Sequence, residues 1–72
     1  MKRVAITGSS GYLGSCFIKY LAATAPEVQI LGLDVVRPAD GSGYEHLDLD
    51  MQSPRLESIL RQFAPDTVVH MG

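Results

Sequence analysis

The sequence predicts an α/β fold with a doubly wound parallel sheet, of which it supplies the β-α-β-β-α-β front half. Two observations support this fold class, and the chain length limits the number of domains. Short apolar runs typical of fully buried strands alternate with segments of helical period. The first apolar run passes through a glycine-rich turn directly into a helical segment. The chain has 72 residues, enough for one small domain at most and for no second domain.

The first strand and the first helix lie on either side of that glycine turn. Residues 4–7 are apolar and are predicted to form a buried strand. Residues 12–25 carry apolar side chains at i, i+4, i+7 and i+8, which predicts a helix with one buried face. Pro26 ends this helix, because the residue before a proline avoids the helical region. The predicted face consists of Leu13, Phe17, Tyr20 and Leu21.

The middle of the chain is predicted to form two strands separated by a loop. Residues 29–36 form an apolar run that predicts the second buried strand. Residues 37–43 are polar and rich in turn-forming residues, so we expect a surface loop. Residues 44–49 are expected to form a third, shorter strand.

The last part of the chain predicts a second helix and a fourth strand. Ser53 is expected to be the N-cap and Pro54 the first helical residue. Pro65 ends the helix, and residues 67–70 are predicted to form a fourth buried strand. In a Rossmann-like sheet the strand order is 3-2-1-4, with an unpaired outer edge on strand 4. The apolar face of the helix consists of Leu56, Ile59, Leu60 and Phe63.

Bulk properties exclude several classes of protein. The net charge of −2 does not favour a nucleic-acid partner, and no apolar run approaches the roughly 20 residues of a membrane span. Cys16 is the single cysteine, so no internal disulfide forms, and a cytoplasmic location is expected. We expect Cys16 to be a small buried residue of the first helix. No Cys or His pair has zinc-site spacing, so no metal is expected.

The segment Thr-Gly-Ser-Ser-Gly-Tyr-Leu-Gly at residues 7–14 indicates a dinucleotide site. Gly8 allows the tight turn after the strand, where a side chain clashes or φ is positive. Gly11 allows close approach of the backbone to a pyrophosphate, and Gly14 allows the helix to lie close to the sheet. The amides after Gly11 then point at the phosphates, at the positive end of the helix dipole.

Acidic residues at strand ends are candidates for the adenosine half of this site. Asp34 follows Gly14 by twenty positions, where an acid accepts hydrogen bonds from the ribose and repels a 2′-phosphate. Arg37 acts in the opposite direction because a nearby arginine binds a 2′-phosphate, yet NAD remains favoured over NADP. Spacing alone does not decide whether Asp48 or Asp50 accepts a hydrogen bond from the adenine amino group.

The two histidines are predicted to be structural. His70 lies in an apolar strand and is expected to be a core residue, whereas His46 is expected to be exposed. Met71 is a candidate for lining the cleft between strands 1 and 4.

The whole chain resembles the N-terminus of an extended short-chain dehydrogenase/reductase of the NAD-dependent epimerase/dehydratase family. Residues 7–14 match the family's Thr-Gly-x-x-Gly-x-x-Gly, and Asp34 matches its ribose-binding acid. Asp48-Leu49 resembles the Asp-aliphatic pair that meets adenine, which favours Asp48 over Asp50. Residues 68–70 resemble its Val-Val-His, followed here by Met71-Gly72 where the family often has Leu-Ala. The cofactor contacts that the resemblance implies are Gly8, Ser10, Gly11, Tyr12, Leu13, Gly14, Asp34, Asp48, Leu49, Met71 and Gly72.

The resemblance implies an oxidoreductase in which NAD takes and returns a hydride at a carbon of a sugar nucleotide or related substrate. In that family a Tyr-x-x-x-Lys pair supplies the acid–base chemistry. In this sequence no lysine stands four residues after any of the three tyrosines, Tyr12, Tyr20 and Tyr44. No catalytic residue is therefore assigned. We expect residues 1–72 to be the N-terminal part of one NAD(P)-binding domain and inactive alone, needing the remainder of a longer chain or a homo-oligomer partner. The alternatives are a non-catalytic NAD(P)-sensing module and a fragment that retains no binding.

Overall fold

The computed structural model describes residues 1–38 and 43–71, which contain four strands and two helices in the predicted order. None of the helices within these ranges is long and apolar enough to cross a membrane. Residues 39–42 of the predicted loop and Gly72 lie outside the described residues. The elements are β1 (Arg3–Thr7), α1 (Tyr12–Thr24), β2 (Gln29–Asp34), β3 (Glu45–Asp48), α2 (Leu56–Phe63) and β4 (Thr67–His70).

The four strands form one parallel sheet in the order β3-β2-β1-β4, which confirms the predicted topology. In the register, Thr7 of β1 lies beside Leu33 of β2 and His70 of β4. Within the described ranges β4 pairs only with β1. The chain passes from β1 to β2 on one side of β1 and later crosses from β3 to β4 on the other side of β1. The strand order reverses there, and a crevice opens beyond the carboxyl ends of the strands.

Each helix covers one face of the sheet and completes a separate hydrophobic core. On one face, Ile18 and Leu21 of α1 pack with Val4 and Ile6 of β1. The opposite face carries the buried side chains Leu31, Leu33 and Leu49. Burial on both faces explains why the segments of β1 and β2 are largely apolar rather than alternating. The side chains of α2 that pack on the second core are Leu56, Ile59, Leu60 and Phe63, as predicted.

The buried face of α1 differs from the predicted one. Its buried residues are Gly14, Ile18 and Leu21, whereas Leu13 and Tyr20 are 62% and 61% exposed. The prediction for Cys16 was also wrong, because Cys16 is exposed. Gly14 packs against the backbone of the turn after β1 and thereby sets the rotation of α1 about its axis. A stripe of large side chains could not reveal this rotation, because the residue that fixes it has no side chain.

The two largest differences from the predicted element boundaries, each of two residues, have local causes. β2 ends at Asp34 rather than at residue 36, because the Asp34 carboxylate accepts a hydrogen bond from the Val36 amide (3.1 Å) and bends the chain. The N-cap of α2 is Arg55 rather than Ser53. The Ser53 hydroxyl instead accepts a hydrogen bond from the Arg55 amide (3.2 Å) within a turn before the helix.

The carboxylate of Asp66 joins the start of β4 to the start of β1. It accepts hydrogen bonds from the amides of Lys2 (2.7 Å) and Arg3 (2.9 Å), and from the Thr67 hydroxyl (2.7 Å). The Arg3 amide is the largest of the influences that lower the pKa of Asp66 from 3.8 to about 2. The charged form is therefore favoured in the folded state.

The lowered pKa of Asp66 predicts that the fold loses stability in acid. Because the pKa of Asp66 is lower in the folded chain, its contribution is present above about pH 4 and disappears as the pH falls toward about 2. Urea unfolding across this range is expected to show a shallower pH dependence for Asp66→Asn than for the wild-type chain. Equal slopes for the two proteins would contradict the prediction.

Candidate cofactor site

A cleft of about 480 Å³ lies beyond the carboxyl ends of β1, β2 and β4. Its walls come from the glycine turn, from the end of β2, from the segment after β3 and from the end of β4. This is the position at which open α/β sheets bind their ligands. The lining residues are Gly8, Gly11, Leu33, Asp34, Val35, Leu49, Asp50, Met51, His70 and Met71.

Two of the three glycines of the turn are required by the fold itself. Gly8 has φ of +70°, a conformation that side chains disfavour, and its amide donates to the Leu33 carbonyl of β2 (2.8 Å). A Cβ on Gly14 would lie 2.4 Å from the carbonyl oxygen of Gly8 and 2.9 Å from Cα of Ser9. Gly14 therefore lies beneath the turn, where it brings helix and loop together, and it does not line the cleft.

Gly11 has no comparable structural requirement. Its φ of −74° and ψ of 174° are available to any residue. A Cβ at this position would meet only the Gly8 carbonyl oxygen, at an ordinary contact distance of 3.4 Å. The backbone of Gly11 thus faces open space in the cleft wall, and the protein's own packing does not explain the absence of a side chain.

The N-terminus of α1 provides free amide donors beside Gly11. The N-cap Gly11 makes no side-chain capping bond, and the first turn contains no acidic residue. The first amides of a helix have no intrahelical partner, and the helix dipole gives this end a partial positive charge. Tyr12 and Leu13 supply the amides that follow Gly11, while their side chains are 82% and 62% exposed and lie outside the cleft lining. The arrangement suits an anion.

Asp34 connects the glycine turn to the end of β2. One of its carboxylate oxygens accepts from the Ser10 amide (3.0 Å) and the other from the Val36 amide (3.1 Å). The Ser10 hydroxyl donates to the Val36 carbonyl (2.6 Å). Ser10 therefore bonds to residues 34–36 through both its amide and its hydroxyl, and it does not line the cleft. A carboxylate accepts about four hydrogen bonds, so each oxygen of Asp34 retains acceptor capacity toward the cleft.

The structure separates the two candidate acids, Asp48 at the end of β3 and Asp50 after it. The Asp48 carboxylate contacts His46 Nε2 at 2.8 Å and Arg37 Nη2 at 3.2 Å, and Asp48 does not line the cleft. Asp50 and the buried Leu49 do line it. The expectation that His46 is exposed was wrong: its side chain is only 7% exposed on the β3 strand, beside Gly32 of β2.

The end of β4 forms the remaining wall. His70 was expected in the core, but it is exposed, because β4 is an edge strand whose alternate residues Val68 and His70 face away from α1. Its Nδ1 lies 2.5 Å from the Thr7 hydroxyl. Met71 lines the cleft as predicted, and its amide donates to the Thr7 carbonyl (2.9 Å).

Several lining residues were missed by sequence reasoning. Leu33 and Val35 belong to the apolar run of β2, and nothing in that run indicates which members reach the cleft. Met51 follows Asp50 directly and was detectable, since an Asp-aliphatic pair occurs at residues 50–51 as well as at 48–49. His70 was detectable from its place at a strand end facing the reversal of strand order.

Comparisons with known proteins agree with this geometry. The model of the NAD dependent epimerase/dehydratase family matches residues 4–72. An uncharacterized epimerase/dehydratase of Staphylococcus saprophyticus is 29% identical over 77 residues, which span all of this chain and 24% of that protein.

Solved structures give the same result. The Bordetella bronchiseptica enzyme WbmG in complex with NAD is 28% identical, with a TM-score of 0.75 over 97% of this chain and 24% of its own. The dTDP-glucose 4,6-dehydratase of Bacillus anthracis in complex with NAD, at 18% identity, shares the fold with a TM-score of 0.84 over all of this chain and 27% of its own. The chain spans about a quarter of the length of these relatives. With its Rossmann-like sheet and its glycine turn, the chain belongs to the NAD dependent epimerase/dehydratase family.

Proposed function

We propose that this chain binds NAD, and NADP less well, as the cofactor-binding part of an oxidoreductase-type epimerase, dehydratase or reductase that acts on a sugar nucleotide or a related substrate. The observation that carries the proposal is the convergence of three features on one cleft. These are the uncapped N-terminus of α1, the open backbone of Gly11 and the partly free carboxylate of Asp34.

The residues present fit a dinucleotide. The free amides after Gly11 suit a pyrophosphate, and the absence of a side chain at Gly11 permits its close approach. Asp34 has acceptors for the adenosine ribose hydroxyls, and its negative charge opposes a 2′-phosphate. The family match and the NAD complexes of similar enzymes support the same ligand class.

For the adenine ring, the cleft favours the segment after β3. Asp48 was the preferred adenine contact by resemblance, but its carboxylate is engaged by His46 and Arg37. Asp50 and Leu49 line the cleft instead. We therefore assign the adenine amino group to Asp50, with Leu49 and Met51 contributing the apolar surface against the ring.

When bound, NAD supplies the hydride transfer, and this chain supplies binding and orientation. No tyrosine in the sequence is followed four residues later by lysine. The acid–base groups, the substrate contacts and any subunit interface are accordingly proposed to lie in segments other than these 72 residues. The chain by itself is then expected to bind the cofactor without turning it over.

Calorimetric titration of the chain with NAD and NADP tests the proposal, with Asp34→Ala and Asp34→Asn as variants. We expect saturable NAD binding, weaker NADP binding and a loss of NAD affinity of at least about tenfold in Asp34→Ala, about 1.4 kcal/mol. Because Asp34 also fixes the Ser10 amide, thermal unfolding must accompany each titration. Asp34→Asn removes the charge and keeps an acceptor for one of the two turn hydrogen bonds, whereas Asp34→Ala removes both.

The possible results are distinct. Tighter binding of NADP than of NAD would contradict the cofactor preference. Equal affinities of wild type and of a folded Asp34→Ala variant would show that Asp34 only stabilises the turn. Binding of neither dinucleotide by the folded chain would contradict the proposal for this chain.

A further inference from the structure

We infer that Asp48 is a specificity-determining residue, which disfavours a 2′-phosphate by engaging the guanidinium of Arg37. The inference rests on the proposed function, because it concerns the adenosine half of the same site. It gives Asp48 a role other than the adenine contact that the family resemblance implied.

Asp48 lies next to the residue that meets the ribose. In the parallel register, Asp34 at the end of β2 is the direct partner of Asp48 at the end of β3. Neighbouring strands lie about 4.8 Å apart, so the two acids start from adjacent backbone positions. By alternation along the strands, their side chains leave the same face of the sheet. A phosphate on the ribose 2′-oxygen of a ligand held by Asp34 would therefore lie close to Asp48, although Asp48 itself does not line the cleft.

Arg37 is the cation closest in sequence to Asp34 and is already paired. Its Nη2 lies 3.2 Å from Oδ2 of Asp48, and its side chain is 79% exposed. An unpaired arginine at this point of the chain offers its planar fork of donors to a 2′-phosphate. Because Arg37 is paired with Asp48, its guanidinium must leave the Asp48 carboxylate before it can bind the phosphate. Asp48 then remains as a negative charge without its cation.

His46 holds the other carboxylate oxygen of Asp48. Oδ1 contacts His46 Nε2 at 2.8 Å, and the His46 side chain is only 7% exposed. This contact orients the carboxylate, with Oδ2 directed to Arg37. His46 acts here as a positioning residue, and Asp48 is the group whose charge bears on the ligand.

The solvent exposure of Asp48 and Arg37 limits the expected change in relative ligand affinity. Asp48 is 47% exposed and Arg37 79% exposed, and exposed ion pairs couple weakly. We expect a change in relative affinity of about three- to fivefold, the upper value equivalent to about 1 kcal/mol. The change is expected to shrink as salt is added, because both side chains face solvent.

Two small probes confine the test to the adenosine half of the site: 5′-AMP and adenosine 2′,5′-bisphosphate. Each is titrated into the wild-type chain, Asp48→Asn, Arg37→Gln and the double variant at low ionic strength. Asp48→Asn is expected to shift the affinity ratio toward the bisphosphate by about three- to fivefold. The same substitution in the Arg37→Gln background is expected to produce a smaller shift, since no cation is released and only the direct repulsion by Asp48 is removed. Asn retains an acceptor oxygen for His46, and thermal unfolding verifies that each variant is folded.

The outcomes separate the inference from the proposed function. If the wild-type chain binds 5′-AMP but Asp48→Asn leaves the ratio unchanged, the inference is overturned and the proposed function stands. An equal shift in both backgrounds would overturn the role of Arg37, because charge repulsion by Asp48 would then account for everything. If the folded wild-type chain binds neither probe and no NAD, both proposals fail together.

Discussion

Gly14→Ala is expected to lower the free energy of unfolding by at least about 2 kcal/mol. The added Cβ would lie 2.4 Å from the carbonyl oxygen of Gly8 and 2.9 Å from both Cα and the carbonyl oxygen of Ser9. All three neighbours are backbone atoms of the turn that Gly8, with its φ of +70°, already constrains. No side chain can rotate away, so the helix and the turn must separate.

Helix propensity acts in the opposite direction and is too small to compensate. Alanine within a helix is favoured over glycine by about 1 kcal/mol. Overpacking costs about 3 kcal/mol or more where the neighbours cannot relax. A domain of this size has a total stability of roughly 4–10 kcal/mol, so the net loss is a large fraction of it.

Urea denaturation followed by circular dichroism measures this loss, with Gly11→Ala as the matched control. The control adds the same methyl group three residues earlier, where the nearest atom is 3.4 Å away. Alanine at an N-cap position costs about 1 kcal/mol or less relative to glycine. A Gly14→Ala variant as stable as Gly11→Ala would show that α1 moves away from the turn without cost.

The order of elements was predictable because hydrophobic periodicity reports burial directly. Strands buried on both faces are continuously apolar, and α2 carries apolar residues at i, i+3, i+4 and i+7. Once β1, the glycine turn and α1 are assigned, right-handed crossovers leave few topologies, and the sheet order follows. The structure confirms that order.

The rotation of α1 was not predictable from its large side chains. Tyr20 and Leu13 continue the apolar stripe but are exposed, whereas Gly14 is buried. Gly32 in β2 shows the same limit: a Cβ there would lie 2.5 Å from Cε2 of Tyr44 and 2.7 Å from Oγ of Ser9. Where two elements pack closely at a glycine, the sequence contains no apolar side chain that would reveal the contact.

The side-chain partners at the site could not be predicted from the sequence either. Asp48 and Asp50 have equivalent spacing, so the sequence does not separate them. In the structure both oxygens of Asp48 are engaged, by Arg37 and His46. One oxygen of Asp50 accepts from the Gln52 amide (2.8 Å), and Asp50 lines the cleft. The turn after Asp34 likewise depends on a hydrogen bond to the Val36 amide that ends β2 early. Such choices depend on the relative positions of three elements, which a strand-by-strand pattern does not contain.

Gly11→Ala is expected to leave the fold intact and to weaken NAD binding by at least about tenfold, about 1.4 kcal/mol. The protein itself accommodates a methyl group at this position, since the backbone angles are ordinary and the nearest atom is at contact distance. A ligand that approaches the backbone between Gly11 and the first turn of α1 cannot accommodate it. The glycine is then explained by the ligand alone, which makes this variant the most direct test of where the pyrophosphate lies.

Calorimetric titration with NAD, alongside urea denaturation, distinguishes this variant from one that loses affinity through unfolding. Gly14→Ala is the informative comparison, because it is expected to lose binding and stability together, whereas Gly11→Ala loses binding with at most about 1 kcal/mol of stability. Full NAD affinity in Gly11→Ala would contradict the pyrophosphate position, since the added methyl group points into the space that the phosphates are proposed to occupy. A loss confined to binding would separate the one glycine that the ligand requires from the two that the fold requires.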